Sequence, residues 1–518
     1  MKKILALVSA VVLAMTVAAC GGDEDSGAAG GVGEPWTLGT TDVVTALDPA
    51  GAYDLGSSTL HYAMYQTLLT IPAGENEPQP DAAESCEYTD TKTFVCTLRE
   101  GLTFSNGNEL TSSDVKFSFD RNVGIADPNG ASTLLASLKN IETPDPQTVQ
   151  FNLSRPDTTF QFVLTHSSTS IVDEEVFPAD ELAPDEEAVG SGPYVMDEYQ
   201  NGQQASLKKS ETYIGGNEGQ SPLIFVKYYP EPSALKLAIQ NAEVQVAWRS
   251  LSPTDITDLK GDDSVEVLEG EGSEIRYWTW QLGTPVGKEK AVRQAVAQLI
   301  DRDAISERAY EGTVDPLYSP VPPGFPGQTD SFKAKYGEPS VDKAKAILDK
   351  AGVDTPVDIT LGYTPSHYGP NAVDEATELK AQLNDSGLFK AVTKSAEWEQ
   401  YQDLYKENAY DLFQLGWFPD FLDADNYLSP FFVDGGFYAN NYKNPEVNEL
   451  VAEEQGSSDQ AVREKAFAEI QDIAAEDVPT IPSWVGKNTA VTQPGIEGVQ
   501  ETLDPAFIFR FWMVTYNG

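Results

Sequence analysis

Basic residues are scarce in this chain: 34 Lys and Arg stand against 81 Asp and Glu, a formal charge of -47. A field of that sign repels nucleic acid and anionic lipid surfaces, and no Lys/Arg cluster offsets it. Histidine is scarcer still, with His61, His166 and His367 far apart in the sequence. None belongs to an H-E-x-x-H helix, so a zincin-type centre is excluded and no metal site is expected. The G-x-S-x-G elbow is missing, and Ser206-x-x-Lys209 falls in an amphipathic strand pattern rather than a catalytic setting. Neither a P-loop nor a G-x-G-x-x-G turn follows a strand. These absences argue against an enzyme and against a bound cofactor. After the amino terminus no run is long and apolar enough to cross a bilayer.

What is present begins with a basic Met1-Lys2-Lys3, an apolar Ile4–Val17, and Val17-Ala18-Ala19-Cys20. That ending resembles the lipobox of bacterial lipoproteins, which implies a leader at 1–19, cleavage before Cys20 and acylation of its thiol. A plain secretory leader with a chance cysteine is the alternative. Gly21 to Gly33 is rich in Gly, Ala, Asp, Glu and Ser, so residues 20–35 read as an anchored, flexible tether. A chain of 518 residues exceeds one ordinary core, and about two or three domains are expected.

The other two cysteines are Cys86 and Cys96. Phe94, Cys96 and Leu98 alternate with Thr93, Val95 and Thr97, as in a half-buried strand, and Glu84–Tyr88 reads as its hairpin partner across Thr89–Lys92. A disulfide there would contribute about 3 kcal/mol by loop-entropy reasoning. Metal ligation is the weaker option, because no third and fourth ligand lie near.

One stretch combines features that conflict. Tyr410–Leu415 is an apolar strand pattern; Gly416 and Pro419 are expected to break its ladder, and Asp420 follows between Phe418 and Phe421. A carboxylate among aromatics is costly to desolvate and needs a cation or several donors. If no protein cation answers it, a ligand cation can.

Leu98-Arg99-Glu100-Gly101-Leu102-Thr103-Phe104-Ser105-Asn106-Gly107, followed by a helix from Thr111 with Asp114 closing a capping box, resembles the signature of the extracellular solute-binding proteins of family 5. Gly190-Ser191-Gly192-Pro193-Tyr194 is similar to that family's G-[TS]-G-P-Y turn, and Val292–Arg302 to its V-R-Q-A helix. Ser340–Gly352, an amphipathic helix with Ser340 as N-cap and Gly352 just past its end, resembles a further family helix. The resemblance implies an α/β, two-lobed, type II periplasmic-binding-protein-like fold with an additional β-rich inserted domain. Lobe I is placed at 36–58, 185–272 and 482–518, the insert at 59–184 and lobe II at 273–481, with crossings near Trp278–Gln281 and Pro482–Trp484.

In peptide-binding members the pattern G-W-x-x-D-[YF]-x-D-x-x-N carries an aspartate that receives the peptide's α-ammonium. Gly416, Trp417, Asp420, Phe421, Asp423 and Asn426 match it. Asp420 is therefore the expected anchor, with Gly416, Trp417 and Phe418 around it, while Asp423 and Asp425 read as turn residues. An Asp that merely caps its own loop is the alternative. Tyr53 and Ser57, in the segment after Leu47-Asp48-Pro49, and His367, in Thr364–Gly369, are further ligand candidates. The His367 loop holds no Arg or Lys, which argues against a clamp on a carboxylate there.

The function so implied is an exported, monomeric lipoprotein, anchored by lipid to the outer face of the cytoplasmic membrane. It would capture peptides, oligopeptides in particular, and deliver them to the permease and ATPase subunits of an ABC importer. Binding of another solute (oligosaccharide or metal chelate) in the same fold, and peptide sensing without transport, stay open as alternatives.

Overall fold

Two strands of unusual length, Glu266–Trp280 and Thr480–Thr492, pair antiparallel along most of their extent and form the spine of the molecule. The structure, a computed structural model, describes residues 33–249, 251–369 and 371–518, so Cys20 and the leader lie outside it. On one side of the spine come Leu412–Trp417, antiparallel, then Val357–Tyr363 and Phe389–Ser395, each parallel to its neighbour. On the other side Val246–Trp248, Trp36–Thr40 and Leu223–Tyr228 lead into the antiparallel edge Gln204–Lys209 and Tyr194–Gln200. With Val314–Pro316 laid on the second spine strand, this sheet has eleven strands among the described residues.

Central strands such as Trp36–Thr40 are buried on both faces, which requires covering layers on each side. Helices Lys290–Leu299, Val341–Ala351 and Ala372–Asp385 supply one such layer, burying Val292, Val296, Leu348, Leu379 and Leu383 with Trp278 and Trp280 in one core. A separate core joins Trp36, Ile224, Val226 and Trp248 to the carboxy-terminal Phe509 and Phe511. The two ends of the sheet therefore carry different cores joined by the spine. Register between the spine strands breaks between Glu271 and Ile275. There Gly272 lies so close to Gly486 that a Cβ would stand 2.2 Å from its carbonyl oxygen.

The β-rich insert is a four-stranded antiparallel sheet in the order Ala83–Asp90, Thr93–Leu98, Thr148–Leu153, Leu138–Asp145. Phe94, Cys96 and Leu98 face its core as their alternation predicts, and Cys86 sits opposite Cys96 and is disulfide-bonded to it. Helix Ser112–Ile125 covers that sheet with Val115 and Phe119, and its capping box of Thr111 and Asp114 is complete. The α/β class with a β-rich insert is thus the observed architecture.

Helix Leu55–Met64 starts where Asp54 accepts the Ser57 N–H and caps it. One element boundary differs from the sequence reading. Gly416 does not break the ladder: the strand continues to Trp417, with Gly416 opposite Arg276 and Trp417 opposite Ile275. The glycine is there for space, since a Cβ would stand 2.3 Å from the Arg276 Nη1.

Candidate ligand-binding site

Strand Leu412–Trp417 delivers a short loop, and Asn426 on the following helix, Asp425–Phe432, holds that loop in shape. The Asn426 Oδ1 accepts from the Trp417 indole at 2.9 Å and from the Asp420 backbone N–H at 2.8 Å. Its Nδ2 donates to the Asp420 Oδ2 at 3.0 Å, so the two acceptor bonds fix the orientation of the amide. The other carboxylate oxygen, Oδ1, accepts the Tyr53 hydroxyl, which comes from far away in the chain.

The donors on Asp420 are thus neutral side chains. Burial raises its pKa to about 6 even though the Asn426 and Tyr53 hydrogen bonds pull the other way. Burial and the Asp420 charge together push the Tyr53 phenol well above its usual range, so Tyr53 keeps its proton and acts as a donor. Asp420, Tyr53 and Trp417 line one cavity of 370 Å³, to which the insert contributes Ser137, Asp157 and Thr159. Larger hollows lie beside the spine at Glu269–Gly272 (750 Å³) and along Lys208–Tyr213 (660 Å³), but the carboxylate lacking a cation faces this one.

Ser57 does not reach the cavity. It is fully buried, its hydroxyl donating to the Asp54 Oδ2 at 2.8 Å and accepting the Thr45 N–H at 2.8 Å, so it shapes the loop that presents Tyr53. Asp423 does more than the turn expected of it: its carboxylate receives both Nη groups of Arg463 at 2.8 and 2.7 Å. Arg463 also meets Glu454 at 3.1 Å. Burial and the neighbouring Asp425 push the Glu454 carboxyl up to about 12, so it stays protonated beside Asp425. Asp425 itself opens onto the cavity.

Phe418 and His367 belong to a second cluster. Phe418 packs edge-on against Phe507, with centroids 5.5 Å apart. Its ring lies between two guanidinium groups, Arg249 at 5.3 Å and Arg276 at 6.0 Å. Arg249 is held by Asp42 through bonds of 3.1 and 2.8 Å, and Arg276 pairs with Glu274. His367 stacks on Trp398 at 3.8 Å, and the protein around it together with Arg276 lowers its pKa to about 4, so it is neutral at pH 7. Its neighbour Tyr368 lies 4.4 Å from the Arg276 guanidinium.

Arg276 is the residue that sequence reasoning missed. The loop of His367 lacks a cation of its own, but the spine strand supplies one. The available signal was an Arg within the apolar run Ile275-Arg276-Tyr277-Trp278, which must find partners once buried. The pairing of Tyr53 with Asp420, across 367 positions, left no local trace. Among the described residues no group of His, Cys, Asp and Glu is arranged to hold a metal ion, and no helix is long and apolar enough to cross a membrane.

Comparison with known proteins places this geometry. The chain is 27% identical over 462 residues to the dipeptide-binding protein of Escherichia coli K12, covering 83% of this chain and 84% of that one. It is 26% identical over 492 residues to heme-binding protein A of Haemophilus influenzae, covering 88% and 87%. The crystal structure of the ABC transporter substrate-binding protein CtaP of Listeria monocytogenes superposes with a TM-score of 0.83 at 22% identity, over 94% of this chain and 100% of that one, which establishes the fold. Residues 77–439 match the model of the bacterial extracellular solute-binding proteins, family 5, and the chain belongs to that family.

Proposed function

We propose that this protein captures peptides by their free amino terminus and hands them to the permease of an ABC importer. The observation that carries the reading is Asp420: a carboxylate bonded only by neutral donors, facing a cavity, with its pKa pushed up for want of a cation. A peptide α-ammonium supplies that cation and leaves neither charge unpaired once water is excluded. The Escherichia coli relative, by its name, binds dipeptides. Heme, which the name of the Haemophilus relative indicates, offers no ammonium to such a carboxylate.

The lobes in this reading are 36–58 with 185–272 and 482–518, and 273–481, with 59–184 inserted. Tyr53 belongs to the first lobe and Asp420 to the second, so a ligand at Asp420 touches both and favours their closure about the spine. ATP hydrolysis belongs to partner subunits, and Cys20 ties the protein to the outer face of the cytoplasmic membrane. The test is calorimetry of the protein without its leader against a tripeptide library and its N-acetylated counterpart. Free peptides should bind, and acetylation or Asp420→Ala should each weaken them by roughly 2–5 kcal/mol. Binding indifferent to both changes sinks the reading.

A further inference from the structure

The cavity beside Asp420 extends beyond what an ammonium group fills, and its far part has its own chemistry. Asp157, from the insert, and Asp425, at the start of helix Asp425–Phe432, line it at 5% and 4% exposure. The Asp157 Oδ1 accepts the Thr159 N–H and hydroxyl at 3.1 and 2.6 Å, and the Asp425 Oδ1 accepts from the Gln455 amide at 3.0 Å. The guanidinium on this wall, Arg155, is half exposed, lies 3.6 Å from Asp157 and gives its Nη1 hydrogen to the Gln455 Oε1 at 2.6 Å. Behind the wall, Arg463 is bonded to Asp423 and Glu454. The cavity therefore has more negative charge than the cations around it offset.

A second observation points the same way. Trp417 and Phe437, their rings 6.4 Å apart and roughly parallel, form the apolar part of the wall. An aliphatic stem ending in a cation suits such a lining, apolar along its length and acidic at its end.

We infer that this is a subsite for a basic side chain, Lys or Arg, on the first residue of the bound peptide. Its stem runs along Trp417 and Phe437, and its charged head meets Asp425 and Asp157. The inference rests on the reading that Asp420 takes the α-ammonium, which places the first side chain next to it.

The experiment compares Lys-Ala-Ala, norleucine-Ala-Ala and N-acetyl-Lys-Ala-Ala by calorimetry on the protein without its leader. Norleucine keeps the stem and removes the charge. Lys-Ala-Ala should bind at least roughly tenfold more tightly than the norleucine peptide, as charge-assisted hydrogen bonds imply. Asp157→Asn and Asp425→Asn, which keep an acceptor for Thr159 and for Gln455, should each shrink that ratio while norleucine affinity moves by less than about twofold. Equal affinity for the lysine and norleucine peptides overturns the subsite and leaves the amino-terminal reading standing. A lysine preference untouched by both substitutions overturns the assignment to these residues. Undiminished binding of the acetylated peptide, or no binding of any of the three, overturns the amino-terminal reading and the subsite with it.

Discussion

At the scale of single residues, the state of Asp420 governs what the site does with pH. Without ligand the carboxyl holds its proton up to about 6, and an ammonium ligand favours the ionised form. Peptide affinity should therefore rise from pH 5 to pH 7 and then level off, with protons released on binding below about pH 6. Calorimetry in buffers of different ionisation enthalpy reads that release, and Asp420→Asn should abolish it along with the slope. The stability of the unliganded protein carries the opposite sign. A carboxyl raised from 3.8 to about 6 contributes stability that is fully present below its unfolded value and is lost as pH rises through about 6. Arg463 tests a different energetic role. Arg463→Met leaves Asp423 buried without its cation and should lower stability by roughly 3–5 kcal/mol, read as a shifted denaturant midpoint at unchanged slope.

At the scale of elements, local pattern predicted most of what formed. The alternation in Thr93–Leu98 placed Cys96 on the inner face and opposite Cys86, and the bond between them closes a loop with a separation of 10. Replacing both cysteines by alanine should cost about 3 kcal/mol by the loop-entropy estimate, and in thermal unfolding a reductant should lower the wild type but not the double variant. Caps were equally readable: Thr111 with Asp114, and Ser340 with the left-handed Gly352, use side-chain and backbone chemistry confined to a few neighbouring positions. Where the element reading failed, a distant contact was responsible. Gly416 looks like a strand breaker in sequence; in the structure it is a flat place in a continuing ladder, kept bare for the guanidinium of a residue 140 positions away.

At the scale of the molecule, the proposed closure and anchor each have a consequence. If a peptide draws the two lobes together about the spine, small-angle scattering should show a smaller radius of gyration when a saturating tripeptide is added, and Asp420→Ala should respond at higher peptide concentration or not at all. If Cys20 carries the lipid, Cys20→Ser should move the protein from the membrane fraction to the soluble one, with peptide binding unchanged.

The sequence by itself pointed to the family through its signature turns and capped helices, and that resemblance implied the α/β class with its β-rich insert; side-chain alternation marked the disulfide hairpin, because such patterns act over short spans. It also made plain that Asp420 would need a partner, since desolvating a carboxylate among aromatic rings has a known direction and cost. Only the tertiary structure decided who stands around it. Tyr53 arrives from the opposite side, Asn426 fixes the loop, Asp157 and Ser137 reach over from the insert, and Arg276 crosses Gly416 to meet Tyr368 beside the stacked His367. Ser57, a plausible ligand contact in sequence, is drawn into the loop that presents Tyr53. The physical reason is the same in each case: charge and burial are properties of a neighbourhood, and this one is assembled from segments hundreds of residues apart, whose meeting depends on the path of the whole chain.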